Sequence, residues 1–112
     1  LKNVDFIQRF IFPGSFIPSF GAILESVRKE SKLVLTHAED TDFHYAKTLH
    51  DWCDRFMAQR DKLESMGYDE GFRRLWHFYF AYCEAGFSER AIGVAQLVFA
   101  KPGNQRENIL SV

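Results

Sequence analysis

The sequence predicts an α/β fold that is mostly helical and carries only two strands. Three observations lead there. Apolar residues recur at helical spacing in four stretches. Two runs rich in β-formers, within KLVLTHAED and AIGVAQLVFAKP, interrupt that pattern at about residues 33–39 and 91–100. Cap and breaker residues separate the periodic runs: Pro13-Gly14, Ser19, Thr41-Asp42, Gly67, Asp69 and Pro102-Gly103. A two-stranded sheet is marginal by itself. The strands therefore read as one edge of a larger sheet.

Each element has a local reason. In NVDFIQRFIF, residues 3–12, Val4, Ile7 and Ile11 share helical spacing with Phe6 and Phe10, and Pro13-Gly14 ends the run. Ser19 is an N-cap for a second helix that turns Ile23, Leu24 and Val27 inward and runs to about Lys29. The Leu-Val-Leu start of the first strand is apolar on both faces, as in a covered sheet. Thr41 and Asp42 offer N-cap chemistry to a third helix. Its face carries Tyr45, Leu49, Trp52, Phe56 and Leu63, and Gly67 closes it near Met66. Asp69 caps a fourth helix, roughly 70–86, whose aromatics surround most of its circumference and predict burial on more than one side. The second strand follows and stops at Pro102-Gly103. Residues 103–112 read as a loose tail.

Composition narrows the function classes. The 112 residues suffice for one domain, and 46% of them are hydrophobic. A net charge of −1 gives no basic excess for nucleic acid and no acidic tail. Two cysteines far apart, Cys53 and Cys83, are no disulfide framework and fit a reducing cytosol. No apolar run approaches the roughly 20 residues of a membrane span. The first residue is not Met, which fits a fragment or a processed piece.

Few groups suggest chemistry by themselves. His37, His44, His50 and His77 form no HExxH pattern, and no CxxC is present, so no metal site is expected. His50 and Cys53 lie one turn apart, but two ligands do not make a site. Cys53 and Cys83 sit among apolar neighbours without a defined base and read as small buried hydrophobes. Glu84 reads as a buried carboxylate or a solvent-facing one. The Phe-rich start, FIQRFIFPGSFIPSF, reads as core packing or a helix contact, with a lipid-contacting segment as the alternative. No glycine-rich loop follows a strand, so no nucleotide site is expected within the chain.

Four stretches in order change this picture: FIFPGSFIPS (10–19), HYAKTLHDWCDRF (44–56), GYDEGFRRLWHFYFAYCEAGF (67–87) and GVAQLVFAKP (93–102). Together they resemble the C-terminal part of the cyclopropane fatty acid synthase family, which includes the mycolic acid cyclopropane synthases. The resemblance extends to about residue 102. It departs at Ser15 and Ile17, where the family commonly has Gly and Leu. It implies the C-terminal fragment of a class I, Rossmann-like methyltransferase dependent on S-adenosylmethionine. Residues 1–102 would belong to that domain, and 42–88 would be a helical insertion covering the substrate.

The resemblance further implies that such an enzyme converts a cis double bond of a phospholipid acyl chain to a cyclopropane ring. It would be cytoplasmic, with peripheral contact at the inner membrane. The S-adenosylmethionine site would lie upstream, so the chain alone is expected to bind no cofactor and to be inactive. One site residue carries over. Tyr45, in the HYAKTL motif, would help hold a bicarbonate ion, with His44 beside it in a supporting or structural place. A phenol with a pKa of about 10 stays protonated and can donate to an anion. Of the aromatics Phe12, Phe16, Phe43 and Tyr79, any could stabilise a passing cation. Exposed strand edges lead us to expect a homo-oligomer. Two other readings stay open: another class I carbon methyltransferase acting on a lipid or small molecule, or a non-catalytic interaction module of the same fold.

Overall fold

Six regular elements follow one another in the computed structural model, which describes residues 4–105. Helix α1 is Phe20–Glu30, strand β1 Val34–Asp40, α2 Asp42–Met57, α3 Arg60–Ser65, α4 Glu70–Ser88 and β2 Ala95–Ala100. A π-helical turn, Ile7–Ile11, precedes them. The mixed helix and two-strand content matches the expectation, and β1 and β2 pair directly in a two-stranded sheet. The expected tail lies outside the described residues from 106 onward. The chain divides into two compact units, one of residues 4–39 with 96–105, the other Asp40–Ala95.

In the first unit, local chemistry sets the boundaries. The Asp5 carboxylate accepts from the Gln8 N–H at 2.8 Å while the Asp5 N–H donates to Gln8 Oε1 at 3.3 Å, a reciprocal cap. The helix expected over 3–12 is cut short. Phe12 precedes Pro13, and the proline ring excludes the α region for it. Phe12 accordingly sits at φ −127° and ψ 77°, and its N–H closes a wide turn onto the Ile7 carbonyl at 2.8 Å. Ser19 caps α1 as expected, its Oγ accepting from the Ala22 N–H at 3.2 Å. Ile23 and Val27 are half-buried, whereas Leu24 is exposed. Strand β1 is shifted by one residue from expectation and is largely exposed, with Val34 at 59%.

The second unit is a helical hairpin of α2 and α4, with α3 between them. Leu49 on α2 is fully buried, and Phe80, Cys83 and Phe87 on α4 pack as one stripe with Arg73. Their spacing of seven, three and four is that of a single helix face. The expectation that α4 is covered on several sides is corrected: Phe78 and Tyr82 are exposed and stack on each other at 6.0 Å. The expected long third helix is broken at Ala58–Gln59, where the Gln59 N–H turns back to the Phe56 carbonyl at 3.1 Å. Gly67 closes α3 at φ +89°. Its N–H reaches the Glu64 carbonyl and that of Tyr68 reaches Leu63, both at 3.0 Å, a paired closure that favours glycine. Asp69 caps α4 as expected, accepting from the Phe72 N–H at 2.8 Å.

The start of α2 is held differently from expectation. Neither Thr41 nor Asp42 caps it through its side chain. Asp40 instead accepts from the Asp42 N–H at 3.0 Å. That bond, and then Arg90, hold the Asp40 carboxyl below the usual carboxylate range. The Asp42 carboxylate is buried and accepts from the Val94 N–H at 2.6 Å, while Thr41 donates to the Val94 carbonyl at 3.0 Å. This clamp on Val94, with the Ala91 and Ile92 N–H groups turned back to the Gly86 carbonyl at 2.9 and 3.3 Å, explains why residues 91–94, expected as strand, form a connecting loop. Gly93 fits because a Cβ there would lie 3.3 Å from Asp42 Oδ1.

Asp42→Ala would leave the Val94 N–H without its buried acceptor and is expected to cost about 1–3 kcal/mol. Asp42→Asn keeps an acceptor and is expected to cost less. Urea denaturation followed by circular dichroism measures both. Equal, negligible losses would remove the clamp from the account.

Candidate functional site

Tyr45 lies in the first turns of α2, three residues after the clamped Asp42. Its N–H donates to the Thr41 carbonyl at 3.0 Å, so its backbone is fixed by the helix start. The ring is half-buried between Phe87 of α4, edge to face at 4.9 Å, and Trp52 of α2, edge to face at 6.0 Å. Such pairs hold a ring's orientation through the quadrupoles of the two π-systems. Among the described residues, no hydrogen bond engages the Tyr45 hydroxyl.

Tyr79 of α4 completes the local arrangement. Its pKa is pushed up to about 12, first by burial and then by the neighbouring Cys83 and Tyr45. Its hydroxyl shares a hydrogen bond with the Cys83 thiol one turn along α4. Tyr79, Cys83 and Phe87 are spaced four apart, which puts them on one face of the helix. That face meets Tyr45. Sequence reasoning did not join these residues to Tyr45. The i, i+4, i+8 spacing was visible, but the partner helix was not. An unengaged phenol beside a second phenol held neutral suits a small oxyanion as a donor set.

The other candidates fall elsewhere. Phe43 is exposed and lies under the Arg90 guanidinium at 5.8 Å, so its π-face is already opposite a cation. Phe12 and Phe16 are exposed residues of the first unit. His44 is exposed. His50 Nδ1 contacts Glu84 Oε1 at 3.2 Å, with Asp54 3.7 Å from its other nitrogen, which ties α2 to α4. Glu84 is thus a half-buried pairing carboxylate. Cys53 is half-buried and its thiol pKa is raised, chiefly by burial and then by the charges of Asp54 and Glu84. Cys83 is buried. Among the described residues no group of three or more His, Cys, Asp or Glu is placed to hold a metal. Nor does any helix among them have the length and apolarity to cross a membrane.

With this geometry in view, comparison with known proteins is informative. The family model described as mycolic acid cyclopropane synthetase matches residues 1–97, and the chain belongs to that family. It is 41% identical over 97 residues to a tuberculostearic acid methyltransferase of Mycobacterium tuberculosis, covering 87% of this chain and 23% of that protein. A probable fatty acid methyltransferase of Pseudomonas putida is 33% identical over 98 residues, covering 88% and 24%. The cyclopropane-fatty-acyl-phospholipid synthase of Escherichia coli is 32% identical over 100 residues, covering 88% and 25%. The chain therefore spans about a quarter of the length of these relatives.

The raised pKa of Tyr79 gives a testable signature. Its neutral form is favoured in the folded chain, so the associated stability is present below the ordinary phenol pKa of about 10. It is lost as pH rises through about 12. Phenolate absorbance should show one tyrosine ionising later than the others, and Tyr79→Phe should remove that late step. A wild-type titration without a delayed phenol would contradict the packing described.

Proposed function

We propose that this chain is the C-terminal part of a longer, Rossmann-like methyltransferase that adds a methyl group from S-adenosylmethionine to a cis double bond in a lipid acyl chain. The observation that carries the reading is the Tyr45 face of the α2–α4 hairpin, within a chain of the cyclopropane synthetase family. The described residues contain no glycine-rich loop between a strand and a helix, and no residue here is assigned to the methyl donor.

The chemistry explains what this face contributes. In the longer enzyme S-adenosylmethionine would supply the methyl group to the acyl alkene, whose electrons would form the new carbon–carbon bond as the carbon–sulfur pair leaves with sulfur. The acyl chain is left as a carbocation. Loss of a proton from the new methyl then closes a cyclopropane ring. Bicarbonate, when bound, would supply the proton acceptor. Tyr45 would hold it by donating its phenolic proton as a hydrogen bond, and Tyr79 stands beside that position. The rings of Tyr45, Phe87 and Trp52 supply an apolar wall that excludes water from a cation.

A second reading concerns the product. The 41% identity to a tuberculostearic acid methyltransferase favours a methyl-derived branch over a ring. A hydride shift before loss of the proton would leave a methylene branch from the same cation. In either case a phospholipid substrate would bring the longer enzyme into peripheral contact with a membrane surface, which we infer to be the inner one.

The longer enzyme, incubated with unsaturated phospholipid and S-adenosylmethionine, is expected to return fatty acids heavier by one CH₂. Loss of alkene reactivity establishes the ring, and a retained alkene establishes the branch. No added CH₂ with either phospholipid or free unsaturated fatty acid would refute the acyl-methylation reading.

A further inference from the structure

Helix α4 ends in a paired closure like that of α3, but an arginine stands where α3 has glycine. The Arg90 N–H reaches the Phe87 carbonyl at 3.1 Å, and the Ala91 N–H reaches the Gly86 carbonyl at 2.9 Å. That closure needs a residue in the left-handed region, and Arg90 lies there at φ +55°. Among the described residues it is the only one besides the glycines with a positive φ. A Cβ crowds the following carbonyl in this conformation, so the backbone favours glycine. Local structure therefore does not account for the arginine.

Its side chain does. The guanidinium bonds the Asp40 carboxylate, which itself accepts from the Asp42 N–H at 3.0 Å. It lies 3.9 Å from the Asp42 carboxylate and 5.8 Å from the centre of the Phe43 ring. Three groups at the start of α2 thus meet one cation. An exposed ion pair adds little stability by itself. A rigid, planar cation shared by two carboxylates and a ring fixes orientation more than it adds energy.

Both partners of the Tyr45 ring contact start from this junction. Tyr45 comes two residues after Phe43, and its N–H bonds the Thr41 carbonyl. Phe87 meets the Tyr45 ring edge to face at 4.9 Å, and its carbonyl accepts the Arg90 N–H. Arg90 therefore joins the two backbone segments that carry the contacting rings.

We propose that Arg90 is a positioning residue, which fixes Tyr45 for methyl transfer by tying the end of α4 to the start of α2. The proposal rests on the acyl-methylation reading given above, in which the Tyr45 hydroxyl faces the reacting group. Arg90 acts through Tyr45 and is assigned no contact with lipid or methyl donor.

The longer enzyme tests it through Arg90→Gly and Arg90→Lys, read by single-turnover methyl transfer. Glycine removes the cation but relieves the left-handed backbone, so Arg90→Gly is expected to melt close to the wild-type temperature. Its rate at saturating lipid is nevertheless expected to fall roughly tenfold, with KM for lipid little changed. Arg90→Lys keeps a cation beside Asp40 and is expected to recover most of that loss. In the Tyr45→Phe background, Arg90→Gly is expected to change the rate less than about twofold, because the hydroxyl it positions is already gone. A rate for Arg90→Gly within about twofold of wild type, or no recovery in Arg90→Lys, overturns the proposal. So does a loss that persists undiminished in the Tyr45→Phe background, or one explained by unfolding at the assay temperature.

A second readout does not depend on catalysis. In enzyme labelled with fluorotyrosine, the fluorine resonance missing from Tyr45→Phe belongs to Tyr45, and Arg90→Gly is expected to shift or broaden it. An unmoved resonance overturns the proposal, and if the wild type still adds CH₂ to the acyl chain, it overturns Arg90 alone. A moved resonance without added CH₂ supports the positioning of Tyr45 and overturns the acyl-methylation reading.

Discussion

A buried carboxylate determines where α2 begins. Asp42 stands at the positive end of the helix dipole, which stabilises its charge, and it accepts the Val94 N–H at 2.6 Å. That bond spans 52 residues of sequence and fastens the loop after α4 to the first turn of α2. Asp40 and Arg90 brace it from outside. A buried carboxylate without such a donor would be costly, so the loop and the helix start are stable only together. Gly93 permits the approach because it carries no side chain to meet Asp42.

From that anchor the functional arrangement follows by helix geometry. Tyr45 comes one turn after Asp42, and Leu49 one turn later fills the core. On α4, Tyr79, Cys83 and Phe87 share the opposing face. Burial keeps the Tyr79 phenol neutral, and the Phe87 ring fixes that of Tyr45.

How much of this was legible in the sequence depends on the range of the interaction. Ser19, Gly67 and Asp69 were readable because each satisfies backbone groups within a few residues of itself. The shortened first helix follows from the Phe12-Pro13 step, a local rule that apolar periodicity obscured. The break at Ala58–Gln59 was hidden because the apolar spacing runs on through Leu63. Residues 91–94 read as strand from their apolar composition, yet the Ala91 and Ile92 N–H groups turn back to the Gly86 carbonyl and that of Val94 is taken by Asp42, a partner that no local window contains. Tyr45 was singled out through family resemblance. Its packing against Phe87 and its closeness to Tyr79 required the pairing of α2 with α4.

The central claim is that the Tyr45 hydroxyl faces the reacting group. The most direct measurement is single-turnover methyl transfer by the longer enzyme carrying Tyr45→Phe, at saturating lipid and S-adenosylmethionine. Phe keeps the ring and its contacts with Phe87 and Trp52 and removes only the donor. The account predicts a rate reduced by roughly 10²–10³, as when a positioned donor is lost, with lipid affinity little changed. A rate within about twofold of wild type would make Tyr45 a packing residue. The α2–α4 face would then lose its place in the chemistry.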